Sequence, residues 1–473
     1  MTARLTLQRR LVTELLKLAP LLGELRERFA VAGHDLHLVG GSVRDALLGR
    51  GIGDLDLTTD ARPEQVLVLV EGWPTWNTGL AFGTVGVQLG EHRVEITTYR
   101  ADRYDRVSRK PDVVYGDSLV DDLARRDFTI NAMAFSVLDQ TFTDPYGGLA
   151  DLERRRLRTP ATPEESFADD PLRLLRAARF VSQLGVVPDP DVMKAMSELS
   201  GELARISTER VQSEFSKLLL GQYPRTALEL MVDRGLADGV LPELPALQLE
   251  IDEHHQHKDV YAHSLTVLEQ AIALEDDGPD LVLRLAALLH DIGKPATRRH
   301  EQHGRVSFHH HEVVGSRLVR DRLRALRYPK DVVRDVAQLT FLHLRFHGYG
   351  RGEWTDSAVR RYVVDAGPLL GRLHKLVRSD CTTRNQRRAQ ALSASYTSLE
   401  ERIAQLQAKE DLDAVRPDLR GEDIMALLDL PPGPLVGRAW QHLKSVRLER
   451  GPLPRAEAEA ELRRWAAKHL PSD

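Results

Sequence analysis

Cysteine is nearly absent from this sequence. The 473 residues include one, Cys381, which excludes an internal disulfide and is typical of a reducing compartment. Long apolar runs are missing too, and none approaches the roughly 18 residues of a membrane span. The first 20 residues carry charges throughout, so they lack the apolar core of a signal peptide. We therefore expect a cytoplasmic protein with no membrane partner.

The chain also lacks an excess of positive charge. Its 70 acidic and 65 basic residues give a net charge of −5, so any nucleic-acid binding requires a local basic surface. A hydrophobic content of 42% is ample for packed cores. The length predicts about three domains or one elongated multidomain body.

The pattern of apolar residues changes along the chain. Short alternating runs such as "LHLVG" and "HRVEITTYR" predict strands in the first third, whereas helical spacing dominates after Asp151. Pro-rich breaks at 241–246 and 431–434 mark joints. The expected parts are an N-terminal helix (1–35), a mixed α/β head (36–150), a helical neck (151–245), a histidine-rich domain (246–390) and a helical tail (391–473).

Two aspartates alternate with leucines in "DLDLTT". On a strand, residues two apart point to one face, so Asp54 and Asp56 project side by side and repel unless a cation binds them. Carboxylate ligands favour Mg²⁺, whose shell substrate phosphates can complete. Glu95 can supply a third carboxylate from a neighbouring strand, as a general base or a second-metal ligand. This set predicts a catalytic phosphoryl-transfer site.

A glycine pair precedes these carboxylates. Gly40 and Gly41 end a buried strand, Ser42 is expected to cap the next helix, and the free N–H groups at that helix start would face a triphosphate. Arg44, in the first turn, can reach the same phosphates. The alternative is a surface Asp pair beside an ordinary strand–turn–helix, but the spacing favours the site.

The run "LVGGSVRDALLG…GDLDLTTDA" resembles the signature of polymerase-β-like nucleotidyltransferases. More narrowly, it is similar to class II (bacterial-type) tRNA CCA-adding enzymes and their poly(A) polymerase relatives. The segments "RRDFTINAMAF", "DPYGGLADLERRRLRT", "DDPLRLLRAARF" and "ISTERVQSEFSKLL" follow in the family's order. The remainder resembles HD-domain-bearing members, particularly actinobacterial ones. The resemblance implies an α+β fold, with a small mixed-sheet polymerase-β-like nucleotidyltransferase head, then an elongated all-α neck, an HD domain and a helical tail.

The segment "DDPLRLLRAARF" carries an acidic residue and three arginines at steps of three, predicted to share one helix face. Aspartate accepts and arginine donates, a pair that fits cytosine and adenine and mismatches uracil and guanine. In the family, the residues matching Asp170 and Arg173 select the base. The family usually has Glu-Asp where this chain has Asp169-Asp170. The alternative reading is a solvated Arg-rich face.

By resemblance, Arg126 and Asp127 contact the sugar and phosphates of the nucleotide. The complete nucleotide-binding prediction comprises Gly41, Arg44, Arg126, Asp127, Asp170, Arg173, Arg176 and Arg179.

Ten of the eighteen histidines lie between His254 and His311. The order His263, His290–Asp291, Asp380 is that of an HD domain. Imidazole with carboxylate suits Mn, Ni, Fe or Mg better than a structural zinc site. By resemblance to two-metal HD phosphohydrolases, His311 and His343 are further ligands, and the domain would hydrolyse phosphate at tRNA ends. A lone histidine on an apolar helix is usually structural, whereas the complete ordered set favours metal binding.

tRNA requires a positive path along the protein. The RNA-binding candidates are Arg154, Arg155, Lys375, Arg378, Arg384, Arg387 and Arg388. For each cluster taken alone, a solvated helix face is the favoured interpretation.

The combined prediction is a template-independent tRNA nucleotidyltransferase that adds CCA to the tRNA 3′ end from CTP and ATP. It would use Mg²⁺ at the head and a divalent metal at the HD site. The alternatives are a poly(A) polymerase on the same scaffold, an enzyme adding only C or only A, and an HD phosphohydrolase whose head merely binds RNA. The sequence predicts no oligomeric state.

Overall fold

The computed structural model divides the chain into two compact units, Met1–Pro242 and Glu243–Asp473. The residues it describes are 2–51, 53–76, 79–100, 115–248, 259–302, 306–346, 354–382, 385–410 and 416–470. Among the helices in these ranges, none combines the length and apolarity that crossing a membrane requires.

A seven-stranded sheet lies at the centre of the head. Its strands are β1 (His37–Val39), β2 (Leu55–Thr59), β3 (Thr75–Trp76), β4 (Thr84–Leu89), β5 (His92–Thr98), β6 (Ala134–Ser136) and β7 (Phe142–Thr143). Their spatial order is β3-β4-β5-β2-β1-β6-β7. The β2–β5 pair is parallel, and the other pairs are antiparallel. The predicted mixed sheet is confirmed.

Helices cover the head and form the neck. The helices of the first unit are α1 (Thr2–Ala32), α2 (Gly41–Leu48), α3 (Pro63–Leu69), α4 (Leu119–Ala124), α5 (Gly148–Arg154), α6 (Pro163–Asp169), α7 (Leu172–Leu184), α8 (Pro190–Glu198), α9 (Thr208–Leu219), α10 (Pro224–Asp233) and α11 (Leu236–Val240). A small parallel pair joins β8 (Arg156–Leu157) to β9 (Val187–Pro188). Helix α7 packs against α9 and α10. Its residues Arg173 and Arg176 donate hydrogen bonds to Arg125 and Asp127 of the head.

The second unit is almost entirely helical. Its helices are α12 (Val260–Ile272), α13 (Leu281–Leu289), α14 (Lys294–Thr297), α15 (His311–Ala325), α16 (Lys330–Leu342), α17 (Asp356–Ala366), α18 (Leu370–Ser379), α19 (Gln386–Lys409), α20 (Gly421–Leu428), α21 (Pro434–Arg450) and α22 (Arg455–His469). A short hairpin joins β10 (Arg299–His300) to β11 (Val306–Ser307). Helices α12, α13, α16 and α18 pack together. The last three helices enclose a separate apolar core that includes Leu443, Leu462 and Trp465.

Candidate active site and metal centre

Ser42 joins the start of α2 to the start of β2. Its Oγ accepts the N–H of Asp56 at 3.0 Å and donates to the C=O of Asp54 at 3.2 Å. The prediction that Ser42 caps α2 is therefore wrong. The helix begins after Gly40, whose φ of 66° suits a residue without a Cβ, and Ser42 lies inside the first turn. Its hydroxyl instead positions the two-aspartate segment.

Two of the three predicted carboxylates, Asp56 and Glu95, lie on strands of the head sheet, whereas Asp54 immediately precedes β2 and is not part of the strand, contrary to expectation. Asp56 is opposite Glu95 in the parallel register of β2 and β5, so both side chains point to one face. Burial raises the pKa of Asp56, an effect that nearby Arg126 opposes and Asp54 reinforces. Burial also raises the pKa of Glu95, and Asp56 and Asp54 add to the shift. A divalent cation would relieve this mutual repulsion.

These carboxylates fit a metal that is completed by substrate rather than a closed protein cage. Asp54 and Glu95 are exposed and Asp56 is half-buried. In the described part of the chain, their oxygens do not form a set of three ligand atoms within 4.8 Å of one another. Mg²⁺ retains waters and binds substrate phosphates beside one or two carboxylates, so this open arrangement suits it.

Two predicted phosphate-binding arginines lie at the glycine turn. Arg126 donates from Nη2 to Oδ2 of the buried Asp122 at 3.1 Å, and Arg44 donates from Nη1 to Oδ1 of Asn131 at 2.7 Å. A Cβ on Gly40 would lie 2.9 Å from Arg126 Nη1 and 3.8 Å from Asp56 Oδ2. The absent side chain therefore leaves room for the guanidinium. Sequence reasoning missed Asp122, although it lies four residues before Arg126, which follows the C-terminal end of α4, and this spacing was a usable signal.

Asp127 and two α7 arginines form a buried charge network. Asp127 accepts from Asn131 Nδ2 at 2.9 Å and from Arg176 Nε at 2.7 Å. Burial alone would raise the pKa of Asp127. The charge of Arg176 and the hydrogen bond from Asn131 instead hold that pKa well below its usual range. Arg179 lies 3.0 Å from Glu214, and burial with the neighbouring Arg176 lowers the pKa of Arg179 to about 10. These ion pairs link the head to α7 and α9 through opposite charges.

Asp170 does not lie on α7, so the prediction of one helix face for it and the three arginines is wrong in part. Pro171 follows it, and a residue before proline is disfavoured in the helical region, so Asp170 is extended at φ −138° and ψ 98°. Arg210 of α9 donates to Asp170 Oδ2 at 2.8 Å. Arg173, on α7, donates to Ser166 Oγ at 2.7 Å. The two predicted base-selecting groups therefore have separate partners in this structure.

Six side chains of the second unit converge on one centre. They form two groups with ligand atoms within 4.8 Å of one another: His263, His290 and Asp380; and Asp291, His311 and His343. Asp291 lies between the groups, since Oδ2 is 3.2 Å from His290 Nε2 and Oδ1 is 3.2 Å from His311 Nε2. Asp380 Oδ1 lies 3.0 Å from His263 Nε2. The fold thus brings together all six predicted HD residues.

Backbone carbonyls orient three of these histidines. The Nδ1–H groups of His290, His311 and His343 donate to carbonyls three residues earlier, at 2.9, 2.8 and 2.6 Å. When such a ring is neutral, its Nε2 presents a lone pair to the centre. Among the described residues, Nε2 of His311 and of His343 is buried without a hydrogen-bond partner. Burial lowers the pKa of His343 to about 3, which keeps the ring neutral. These two lone pairs fit a divalent ion bound between His311, His343 and Asp291.

Two neighbours complete this centre. Lys294 Nζ lies 2.6 Å from Asp291 Oδ2, which brings a cation to the edge of the ligand set. Thr382 Oγ1 lies 3.1 Å from His263 Nδ1, a contact that sequence reasoning missed because the two residues are far apart in the chain. Nitrogen and oxygen donors without cysteine suit a catalytic rather than a closed structural metal site.

The predicted RNA-binding residues differ in their surroundings. Four of them are exposed: Arg154, Arg155, Arg387 and Arg388. Lys375 lies 2.9 Å from Asp276, and Arg378 lies 2.7 Å from Glu400, so these two cations are already paired. Arg384 lies outside the described residues.

Three family models match the chain. They are the poly(A) polymerase head domain at residues 36–158, the probable RNA- and SrmB-binding site of polymerase A at 185–247, and the HD domain at 260–406. The A-adding tRNA nucleotidyltransferase of Deinococcus radiodurans is 34% identical over 439 residues, which cover 91% of this chain and 95% of that protein. The CCA-adding enzyme of Bacillus subtilis is 36% identical over 261 residues, 55% of this chain and 62% of that protein. The match to this CCA-adding enzyme therefore stops short of two thirds of its length.

Solved structures share the fold. The Bacillus stearothermophilus CCA-adding enzyme in complex with CTP aligns with a TM-score of 0.68 and 27% identity, over 95% of this chain and 98% of that one. The Thermotoga maritima CCA-adding enzyme complexed with tRNA aligns with a TM-score of 0.57 at 17% identity, over 97% and 98%, which supports the fold alone. With a 34% identical relative matched over nearly its whole length, the chain belongs to the tRNA nucleotidyltransferase and poly(A) polymerase family and carries an HD domain.

Proposed function

We propose that this protein is a template-independent, cytoplasmic tRNA nucleotidyltransferase that adds CCA to the tRNA 3′ end from CTP and ATP. The observation that carries the proposal is the register of Asp56 with Glu95, directly beside the glycine turn at the start of α2. Asp56 and Glu95, whose pKa values are raised by burial and by neighbouring carboxylates, lie next to the N-terminus of α2 and two arginines, an arrangement that suits a metal-bound triphosphate.

Each side chain has a role in the transfer. Asp54 and Asp56 would hold Mg²⁺, which supplies charge neutralisation at the α-phosphate and activates the attacking ribose hydroxyl. Glu95, with its raised pKa, is suited to accept the hydroxyl proton or to complete a second metal site. Arg44 and Arg126 bind the phosphates, and their positions are maintained by Asn131 and Asp122.

Base selection is assigned to Asp170 and Arg173. Cytosine and adenine both present an amino donor beside a ring acceptor, which an acceptor–donor pair satisfies. Uracil and guanine would leave desolvated groups unpaired, at a cost on the order of 1–3 kcal/mol for each group. Arg176 and Arg179 support this pocket through their pairs with Asp127 and Glu214.

Addition of A alone is the second candidate. The Deinococcus radiodurans relative, matched over 95% of its length, is an A-adding enzyme, whereas the match to the Bacillus subtilis CCA-adding enzyme covers 62% of that protein. The two candidates share the catalytic carboxylates. They differ in the 3′-terminal sequence of the tRNA that each extends.

The deciding assay supplies purified full-length protein with Mg²⁺ and tRNA ending before CCA, after C or after CC. CTP, ATP or both are added, and products are resolved at single-nucleotide length. Three residues added to the shortest tRNA, ending in A, support CCA addition. One A added only to the CC-ended tRNA supports the A-adding candidate. A long A ladder would support a poly(A) polymerase, and no extension of any tRNA would contradict nucleotidyl transfer.

The HD centre is proposed to be a second, metal-dependent phosphohydrolase site. Two sets of lone pairs facing Asp291 fit two ions of the Mn, Ni, Fe or Mg type. The bound ions would supply a hydroxide at neutral pH. A 2′,3′-cyclic phosphate at a tRNA end is the proposed substrate, and Lys294 would face its phosphate. Water would add to phosphorus as one ring P–O bond breaks, and the ribose oxygen would take the proton.

A further inference from the structure

Four residues form one row across the head sheet. Asp56 on β2 is opposite Glu95 on β5, Glu95 is opposite Gly86 on β4, and Gly86 is opposite Trp76 on β3. Residues directly opposite each other on paired strands project to the same face. The row therefore places Trp76 on the face that carries the catalytic carboxylates.

Gly86 allows the indole to lie across the sheet. A Cβ on Gly86 would be 2.0 Å from Cε2 of Trp76, so the ring occupies the space that a side chain would fill. The indole extends from β3 over β4, towards the strand that carries Glu95. Gly86 is buried beneath it, whereas Trp76 retains an exposed surface.

The surface around the ring is open and carries a cation. On β5, Val94 and Ile96 are buried on the opposite face, while Arg93 and Glu95 are exposed. Arg93 Cζ lies 5.3 Å from the centroid of the Trp76 ring. A partly exposed indole with a neighbouring guanidinium is the combination that stacks unpaired bases and binds their phosphates.

The sheet order separates two sides of the catalytic carboxylates. Strand β2 has β1 on one side and β5 on the other. The glycine turn that follows β1, with Arg44 and Arg126 at it, occupies the β1 side. A triphosphate bound there leaves the β5–β4–β3 side, where Trp76 lies, for the attacking RNA strand.

We propose that Trp76 stacks on the base at the 3′ end of the RNA acceptor, with Arg93 binding an adjacent phosphate. Stacking holds the terminal ribose hydroxyl beside Asp56 and Glu95. The inference rests on the proposed nucleotidyl transfer and adds the side from which the acceptor enters. Because stacking tolerates any base, the same platform serves each successive 3′ end during addition.

Steady-state kinetics test this role in W76A, W76F and W76L. The KM for tRNA in W76A is expected to rise on the order of tenfold to a hundredfold, with the KM for CTP and ATP unchanged. W76F should retain most of the affinity because it keeps an aromatic plane. W76L covers Gly86 without that plane and should behave like W76A. The matched control is W73A, because Trp73 packs under Arg28 at 4.0 Å and lies outside the row. Its KM for tRNA should match the wild type.

An acceptor with an abasic 3′-terminal nucleotide separates stacking from a structural role. For the wild type, the KM for this abasic acceptor should exceed the KM for normal tRNA by about the same factor as the W76A substitution produces on normal tRNA. For W76A, the KM for the abasic acceptor should be little higher than its KM for normal tRNA. The inference would be overturned if the effects of the abasic acceptor and of W76A on the KM for tRNA were additive. It would also be overturned if W76A raised the KM for the nucleotide and not the KM for tRNA. If the wild type extends no tRNA, the proposed function itself fails; if it extends tRNA and W76L equals the wild type, only the inference fails.

Discussion

Arg210 donates to Asp170 Oδ2 at 2.8 Å, and the other carboxylate oxygen of Asp170 accepts the N–H of Leu172 at 3.1 Å. The proposed base-reading carboxylate is therefore oriented from α9 and from the first residue of α7. It reaches its position through these contacts rather than through helical spacing from Arg173. Arg210 accordingly positions the carboxylate that we propose selects the base.

Replacement of Arg210 should weaken base discrimination. In R210A the Asp170 carboxylate loses its charged partner, so kcat/KM for CTP and ATP should fall about tenfold and the preference over UTP should shrink. R205A is the control, because Arg205 forms an exposed i,i+3 pair with Glu202 on the surface. Comparison of kcat/KM for all four nucleotides measures the effect. Unchanged discrimination in a folded R210A protein would exclude the positioning role.

Removal of the Asp56 charge should abolish nucleotide addition while leaving the fold and tRNA binding intact. D56N cannot hold the divalent ion, so the rate should drop about a thousandfold or more. The exposed Asp191 on α8 offers a control, D191N, with the wild-type rate expected. Single-turnover extension and tRNA filter binding are the measurements. Extension by D56N at the normal speed would contradict the proposed active site.

The Asp127–Arg176 pair should make stability depend on pH in acid. The folded-state pKa of Asp127 is depressed, so its contribution is fully present above the unfolded pKa of about 3.9 and is lost as the pH falls through the folded value. D127N should cost about 3 kcal/mol of unfolding free energy near pH 7. The difference in unfolding free energy between D127N and the wild type should decrease below about pH 4. Urea unfolding across pH measures it, with exposed D233N as the control. A gap that stays constant into acid would argue against the ion pair as its cause.

The two centres should act independently. D291A removes the ligand between the two histidine groups, so metal content and phosphohydrolase activity should both be lost while nucleotide addition remains. H343Q should reduce the bound metal by about one ion per chain, as measured by elemental analysis. D321N, an exposed change on α15, should retain both activities. Loss of addition in folded D291A would refute the two-site arrangement.

Local features of the head were predictable from the chain itself. Alternation in "DLDLTT" predicted β2, because strand periodicity places residues two apart on one face, and "GGSVRD" predicted a strand–turn–helix junction. The spacing of Asp170 and the arginines predicts a helix that includes Asp170, whereas α7 begins two residues later, at Leu172. Pro171 restricts the backbone of Asp170 to extended conformations, so the helix cannot include Asp170.

The sequence by itself determined which residue types follow one another: the acidic alternation, the glycine turn and the order of the HD ligands. These depend on backbone dihedral preferences and on which face of each element is buried. Only the tertiary structure decided that Glu95 lies opposite Asp56, that Asp291 faces two histidine groups and that Trp76 lies across Gly86. Strand register and long-range ion pairs depend on how distant segments pack, and spacing within one segment carries no record of that packing.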